Sequence, residues 1–224
     1  MADKGVMSPA EAVDEYFDML IKSRFIEMFG DPYLSSKYDK VPFLKCLMFN
    51  PGKTEVNNVP DKQIVSFVPM ESVGINGIID MSKERQLGEV RKGYTYFRDN
   101  DVIFAKITPC FENGKVAIIC GCKGGIGFGS TEFHVARPID NISNSTWLLY
   151  LLKSDSLRVL ASGNMSGTAG QKRVQQPFFE KIQVGLPPIG EQEIFESFVK
   201  QVDKSKFEVV RSLTKLLESV EVPE

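Results

Sequence analysis

The C-terminal part of the chain carries apolar residues at a regular heptad spacing. Between Glu191 and Val220 the apolar positions recur in alternating steps of four and three, and Lys206 is the one polar residue in the series. A surface helix of a globular domain repeats at about 3.6 residues, so a sustained period of about 3.5 predicts a helix that packs along a partner helix. Such a helix would form a rod of roughly 45 Å. The predicted seam consists of Phe195, Val199, Val202, Val209, Leu213, Leu216 and Val220.

A second long helix is predicted near the N-terminus. Ser8 and Glu11 have the spacing of a capping box, with proline between them at the first helical position. Gly30 offers a left-handed cap and Pro32 forbids continuation, so the helix is expected from about Pro9 to Phe29. Its apolar residues occupy more than one face of the helix, whereas packing against one small domain requires apolar residues on a single face.

Between the two helices the pattern changes to short β-prone runs separated by turn residues. Strands are predicted within Ile64–Val68, Gly77–Ile79, Tyr94–Phe97, Asp101–Ile107, Lys115–Ile119 and Glu132–Arg137. A further helix is predicted from Ser145 to about Ala161. The expected fold is therefore α+β: an N-terminal helix in residues 1–32 that packs with the spacer, a mainly β domain in residues 33–188, and a coiled-coil spacer helix in residues 189–224.

Composition narrows the class of protein. No apolar run reaches the roughly 18 residues of a membrane span, and the N-terminus lacks the basic and apolar regions of a signal peptide. Four cysteines do not make a disulfide framework in a chain of 224 residues, so we expect a cytoplasmic protein.

Residues 83–173 hold 13 Lys and Arg against 8 Asp and Glu, while the remainder holds 14 against 21. The basic middle suits a polyanion, although ordinary solvated surfaces show similar excesses.

Three short motifs indicate chemistry only weakly. Gly124–Gly129 lacks the Lys-Ser/Thr ending of a phosphate loop and leads into a predicted strand, which favours a packed loop. Cys120 and Cys122 have no second pair of ligands, so neither a metal nor a cofactor is expected. Cys110 with His134 remains open as a nucleophilic pair, but a histidine within a strand is more often a packed imidazole.

Two polar loops are better candidates for a binding site. Lys106–Lys115 places two lysines, a hydroxyl, an amide and exposed backbone in a turn between apolar strands. Ser162–Gln176 combines glycines with a dense run of Gln, Lys and Arg. Glycine lets a backbone approach a ligand closely, while Gln and Arg read adenine and guanine edges.

An ordered set of motifs resembles a known family. The segments are Ile21–Pro32, Asp101–Pro109 with Glu112–Lys115, Gly129–Phe133, Gly170–Val174, and Leu186–Pro188 with Glu191-Gln192. They are similar to the target recognition domain of type I restriction-modification specificity subunits and its exit into a spacer helix. Members usually carry two recognition domains and two spacer helices, whereas one of each is predicted here, so the chain resembles a half-subunit.

The resemblance implies a non-catalytic subunit that reads double-stranded DNA and positions methyltransferase and restriction subunits. The absence of an Asn/Asp-Pro-Pro-Tyr/Phe methyltransferase motif fits that role. A homodimer, or a pair formed with a second half-subunit, would recognise two inverted half-sites in the DNA.

Eleven residues are expected on the DNA-binding face, with lysines at phosphates and Gln171 and Arg173 at base edges. They are Lys83, Arg85, Lys106, Thr108, Asn113, Lys115, Ser130, Thr131, Gln171, Lys172 and Arg173. Two other readings stay open from the residues alone: a coiled-coil adaptor that binds protein, and a small thiol hydrolase that uses Cys110 and His134. Salt-dependent binding of duplex DNA separates the first reading from both.

Overall fold

The computed structural model describes residues 8–168 and 170–220, without the side chains of residues 217–220. Its α-helices are α1 (Pro9–Phe29), α2 (Leu87–Val90), α3 (Ser145–Lys153), α4 (Asp155–Ser162), α5 (Gln176–Phe179) and α6 (Ile189–Val220). Its strands are β1 (Gly30–Asp31), β2 (Ser35–Ser36), β3 (Lys40–Pro42), β4 (Leu47–Phe49), β5 (Ile64–Val68), β6 (Glu84–Gln86), β7 (Thr95–Arg98), β8 (Val102–Ala105), β9 (Val116–Ile118), β10 (Ile126–Gly129), β11 (Phe133–Pro138), β12 (Met165–Thr168), β13 (Gln171–Val174) and β14 (Gln183–Gly185). The α+β class with a long C-terminal helix is confirmed.

Two four-stranded sheets form the centre of the β region. One has the order β6-β5-β10-β7 and the other the order β4-β11-β8-β9. Only the β5–β10 pair within these sheets is parallel. The glycines of β10 are required by packing, because a Cβ at Gly127 would lie 2.1 Å from a ring carbon of Phe97. The glycine-rich segment was expected to be a packed loop before a strand, but its residues Ile126–Gly129 already form the tightly packed strand β10.

The two long helices pack antiparallel. Phe25 and Phe29 near the end of α1 contact Phe195 near the start of α6, with ring centroids 5.4 and 5.6 Å apart. Further along, Asp14 of α1 pairs with Lys206 of α6 at 2.8 Å. The polar residue in the seam therefore pairs across the two helices, and its counterpart lies near the start of α1.

The heptad seam is buried only in its first half. Phe195, Val199 and Val202 are buried, whereas Val209 is 40% exposed. Further along α6, Leu216 is 65% exposed, so the burial of the seam decreases towards the end of the helix. The side chain of Val220 lies outside the described residues.

Two predicted elements are wrong. The helix expected from Ser145 to Ala161 is interrupted at Ser154, whose extended backbone (φ −64°, ψ 142°) and hydroxyl cap a new helix at Leu157 N. The strand expected at 77–79 is a turn, because Gly77 has φ +84° and only Ile79 forms an isolated bridge. In both places, local side-chain or glycine chemistry outweighs the apolar pattern.

A buried ion-pair network joins the sheets. Arg137 on β11 donates through Nε and Nη2 to the two carboxylate oxygens of Asp101, at 2.7 and 2.8 Å. Its Nη1 donates to Glu55, which also accepts the hydroxyl of Tyr96 on β7 at 2.6 Å. Arg137 and Asp101 are 4% and 1% exposed. The network fixes the turn that carries Glu55, directly after Lys53.

Among the described residues, no helix combines the length and apolar character that a membrane span requires.

Candidate nucleic-acid interface

The two polar loops predicted to form a binding face are joined by backbone hydrogen bonds. Thr108 N donates to Lys172 O at 2.9 Å, and Lys172 N donates to Thr108 Oγ1 at 3.0 Å. Val174 N donates to Lys106 O at 2.9 Å. The β12–β13 hairpin is therefore docked on the start of the loop that links β8 and β9.

Arg173 is held within this face by an ion pair. Its guanidinium donates to Glu132 through Nη2 at 2.8 Å and through Nε at 3.0 Å. This hydrogen bonding lowers the pKa of Glu132 below its ordinary value. Lys106 N also donates to Glu132 O, and Ser130 Oγ accepts from Glu132 N. The 130–132 turn thus lies beside both loops, and Arg173 fixes the hairpin to it.

Three basic residues form a neighbouring group at the end of β5. Lys83 pairs with Glu71 at 3.3 Å, and Lys115 donates to the carbonyl of Met70 at 3.1 Å. Arg85 lies 5.2 Å from the ring centre of Phe67. Their cationic groups already have partners within the chain, unlike those of Lys106 and Lys172.

Asn113 is separated from the hairpin contacts. It is exposed at the far end of the loop, where its N–H donates to Pro109 O. The adjacent Gly114 faces Arg158 of α4. Among the described residues, no hydrogen bond joins Asn113 to the hairpin.

Polar side chains around the docked loops remain unpaired. No hydrogen bond or ion pair involves these side chains in the part of the chain that the structure describes. They belong to Lys106, Asn113, Thr131, Gln171 and Lys172. Lys106 and Lys172 are bonded across the two loops through their backbone, and they therefore leave their side-chain ammonium groups available to a ligand.

A polar groove of about 370 Å³ lies beside the docked loops. Its lining includes Asn50, Lys53, Thr95, Lys106, Thr131, Gln175 and Gln176. The sequence alone does not single out Asn50, Lys53, Thr95, Gln175 or Gln176. The glutamines end the polar run Ser162–Gln176 and were accessible from that signal, whereas the other three reach the groove only through the sheet topology.

His134 at the base of the groove is a packed neutral imidazole. Asn50 Oδ1 accepts from Val135 N, so the Asn50 amide nitrogen donates to His134 Nδ1 at 3.1 Å. His134 Nε2 then donates to Val174 O at 2.9 Å. Both ring nitrogens are engaged and neither contacts Cys110, so the geometry does not support the nucleophilic pair.

His134 makes stability depend on pH. Burial lowers its pKa from 6.5 to about 4. Between these values the unfolded chain binds a proton that the folded chain does not, so the free energy of unfolding falls as pH falls from 6.5 towards 4. In urea unfolding, His134→Gln should reduce this slope by up to about 1.4 kcal/mol per pH unit. Parallel curves for parent and variant would contradict the assignment.

Among the described residues, no group of three or more His, Cys, Asp or Glu side chains has positions suited to a metal ion.

Known proteins with similar sequences are found for most of this chain. The type I restriction modification DNA specificity domain matches residues 51–219. The type I restriction enzyme EcoEI specificity subunit of Escherichia coli is 47% identical over 142 residues, which cover 62% of this chain and 23% of that protein. The EcoAI specificity subunit of Escherichia coli is 46% identical over 136 residues, covering 59% and 23%. The matched part is thus about a quarter of each curated relative.

Solved structures share the fold at low sequence identity. The HsdS subunit from Thermoanaerobacter tengcongensis has a TM-score of 0.57 and 15% identity, covering 91% of this chain and 47% of its own. A chain from a structure of the type I R-M system that describes complex assembly and conformational transition has a TM-score of 0.59 and 14% identity, covering 92% and 49%. The chain therefore spans about half of each of these structures. With the family match extending over most of its length, the chain belongs to the family of type I restriction modification DNA specificity domains.

Proposed function

We propose that this chain is a non-catalytic specificity module that recognises one half-site in double-stranded DNA. The observation that carries the proposal is the docking of the β12–β13 hairpin on the loop that begins at Lys106, which leaves unpaired polar side chains on one face. Exposed Lys, Gln and Thr groups suit a ligand that presents phosphates and base edges. Family membership, with relatives that are named specificity subunits, supports the same role.

The contacts of these residues suggest that they have different roles in binding DNA. Lys106 and Lys172 have free ammonium groups suited to phosphates, and Gln171 has a free amide suited to a base edge. Arg173 is engaged by Glu132, so we propose that it first positions the hairpin and then reaches DNA only if that ion pair opens. Lys83, Arg85 and Lys115 would add positive potential beside the face.

Removing the charge of Lys106 should weaken DNA binding without changing the preferred sequence. Lys106→Gln should reduce the slope of log K against log salt concentration by about 0.9, since one phosphate contact releases about that number of counterions. Lys204→Gln on α6 removes the same charge away from the face and should leave the slope unchanged. Fluorescence anisotropy titrations at several salt concentrations make the comparison. Equal slopes for all three proteins would contradict the placement of Lys106.

We also propose that α1 and α6 (within residues 1–32 and 189–224) form a spacer, separate from a recognition domain in residues 33–188. The helix pair exposes large apolar side chains beyond what its intrachain packing buries: Tyr16, Met19, Ile26, Ile194, Phe207 and Val209. Exposed large apolar side chains of this kind favour protein contacts. Its proposed partners are a second copy or half-subunit, and cytoplasmic methyltransferase and restriction subunits.

Pairing through the seam predicts a self-association that depends on Val209. Val209→Ser should shift sedimentation of the isolated chain towards monomer, because the valine continues the apolar seam where α6 passes α1. Val159→Ser on α4 is the matched control, since this valine is 71% exposed outside the seam. A parent that sediments as a monomer at micromolar concentration would contradict pairing between copies.

A further inference from the structure

Gln175 is held on a rigid backbone at the rim of the polar groove. The preceding residue, Val174, is fully buried, and its N–H and C=O are bonded to Lys106 and His134. On the other side, Gln175 O accepts from Phe178 N, and the following Phe179 packs against the core. A side chain that reads a base must be placed accurately, and backbone fixed on both sides supplies that accuracy.

The amide of Gln175 is available, in contrast to that of its neighbour. Gln176 Nε2 donates to Glu180 at 3.1 Å, whereas no side-chain bond of Gln175 occurs among the described residues. Gln175 is exposed and lines the same groove as a lysine and a threonine hydroxyl without side-chain bonds among the described residues, those of Lys106 and Thr131. The groove therefore presents one unbonded amide together with groups suited to a phosphate.

We infer that Gln175 is a specificity-determining residue that reads one adenine edge in the bound duplex, while Lys106 and Thr131 hold the neighbouring backbone. A glutamine amide donates to N7 and accepts from the N6 amino group of adenine, a bidentate pattern that other base pairs do not offer. This inference rests on the proposed function and narrows it to one residue and one base.

The test is selection of bound sequences from a randomised duplex pool by the parent, Gln175→Ala, Gln175→Glu and Gln183→Ala. The last variant removes an exposed glutamine from β14, outside the groove. At one position, the parent should prefer adenine by roughly ten- to a hundredfold, and Gln175→Ala should lose that preference alone. Gln175→Glu should shift it towards cytosine, whose amino group a carboxylate accepts. Gln183→Ala should select the parental sequence.

The outcomes separate this inference from the proposed function. If the parent selects a sequence and both Gln175 variants select the same one, Gln175 does not read a base and the DNA-binding role stands. If the parent selects no sequence, the proposed function and this inference both fall. Circular dichroism and thermal unfolding of each variant exclude a loss of fold, which an exposed side chain should not cause.

Discussion

Replacing Arg137 with alanine should lower the free energy of unfolding by about 3–5 kcal/mol, because it leaves the carboxylate of Asp101 buried without its partner. Asp101 is 1% exposed, and the two groups form a two-pronged pair inside the β region. The substitution also removes one of the partners of Glu55, in the turn beside Lys53, so we expect the groove to lose its ordered structure together with the core. Urea unfolding monitored by circular dichroism measures the change.

Arg98→Ala provides the matched control. Arg98 also pairs with Glu55, at 3.0 Å, but its side chain is 49% exposed. An exposed pair of this kind contributes about 0–1 kcal/mol. A similarly small loss of unfolding free energy for Arg137→Ala would contradict the prediction. It would show that the burial of an ion pair does not determine how much its removal destabilises the protein.

Phe195→Ala should lower the free energy of unfolding by a similar amount, about 3–5 kcal/mol. Phe195 is fully buried where α6 leaves the domain, and its ring contacts those of Phe25, Phe29 and Tyr150. Truncation would leave a cavity at the junction of α1, α3 and α6. The direction of the proposed spacer relative to the β region would then be poorly fixed.

Phe207→Ala on the same helix is the control for this prediction. Phe207 is 67% exposed and lies off the seam, so its truncation should change stability by less than about 0.5 kcal/mol. Thermal and urea unfolding at equal, low protein concentration compare the two variants. Equal losses would show that α6 is not anchored through its first turns.

The sequence specified the long helices well because their signals are local or periodic. The Ser8–Glu11 capping box and Gly30 set both ends of α1, and the heptad pattern set the buried face of the first half of α6. Where the predictions failed, local chemistry was responsible: the hydroxyl of Ser154 begins a new helix within one apolar stretch, and Gly77 turns the chain where a strand was expected. Periodicity alone does not detect such a break.

The candidate site was only partly accessible from the sequence, for a reason of topology. Lys106, Thr108 and Lys172 were singled out as two polar loops, and the fold joins those loops by backbone bonds. Asn50 and Thr95 carry no local signal, and they reach the groove through the pairing of distant strands. The engagement of Arg173 by Glu132 likewise depends on a contact between residues far apart in the chain.

Amide hydrogen exchange with and without a bound duplex locates the DNA-binding face. A duplex selected by the parent should slow exchange in the loop that starts at Lys106, in the β12–β13 hairpin and at Gln175, while the exposed face of α6 should change little. Protection confined to α1 and α6, with unchanged exchange in both loops, would contradict the claim that this face reads DNA.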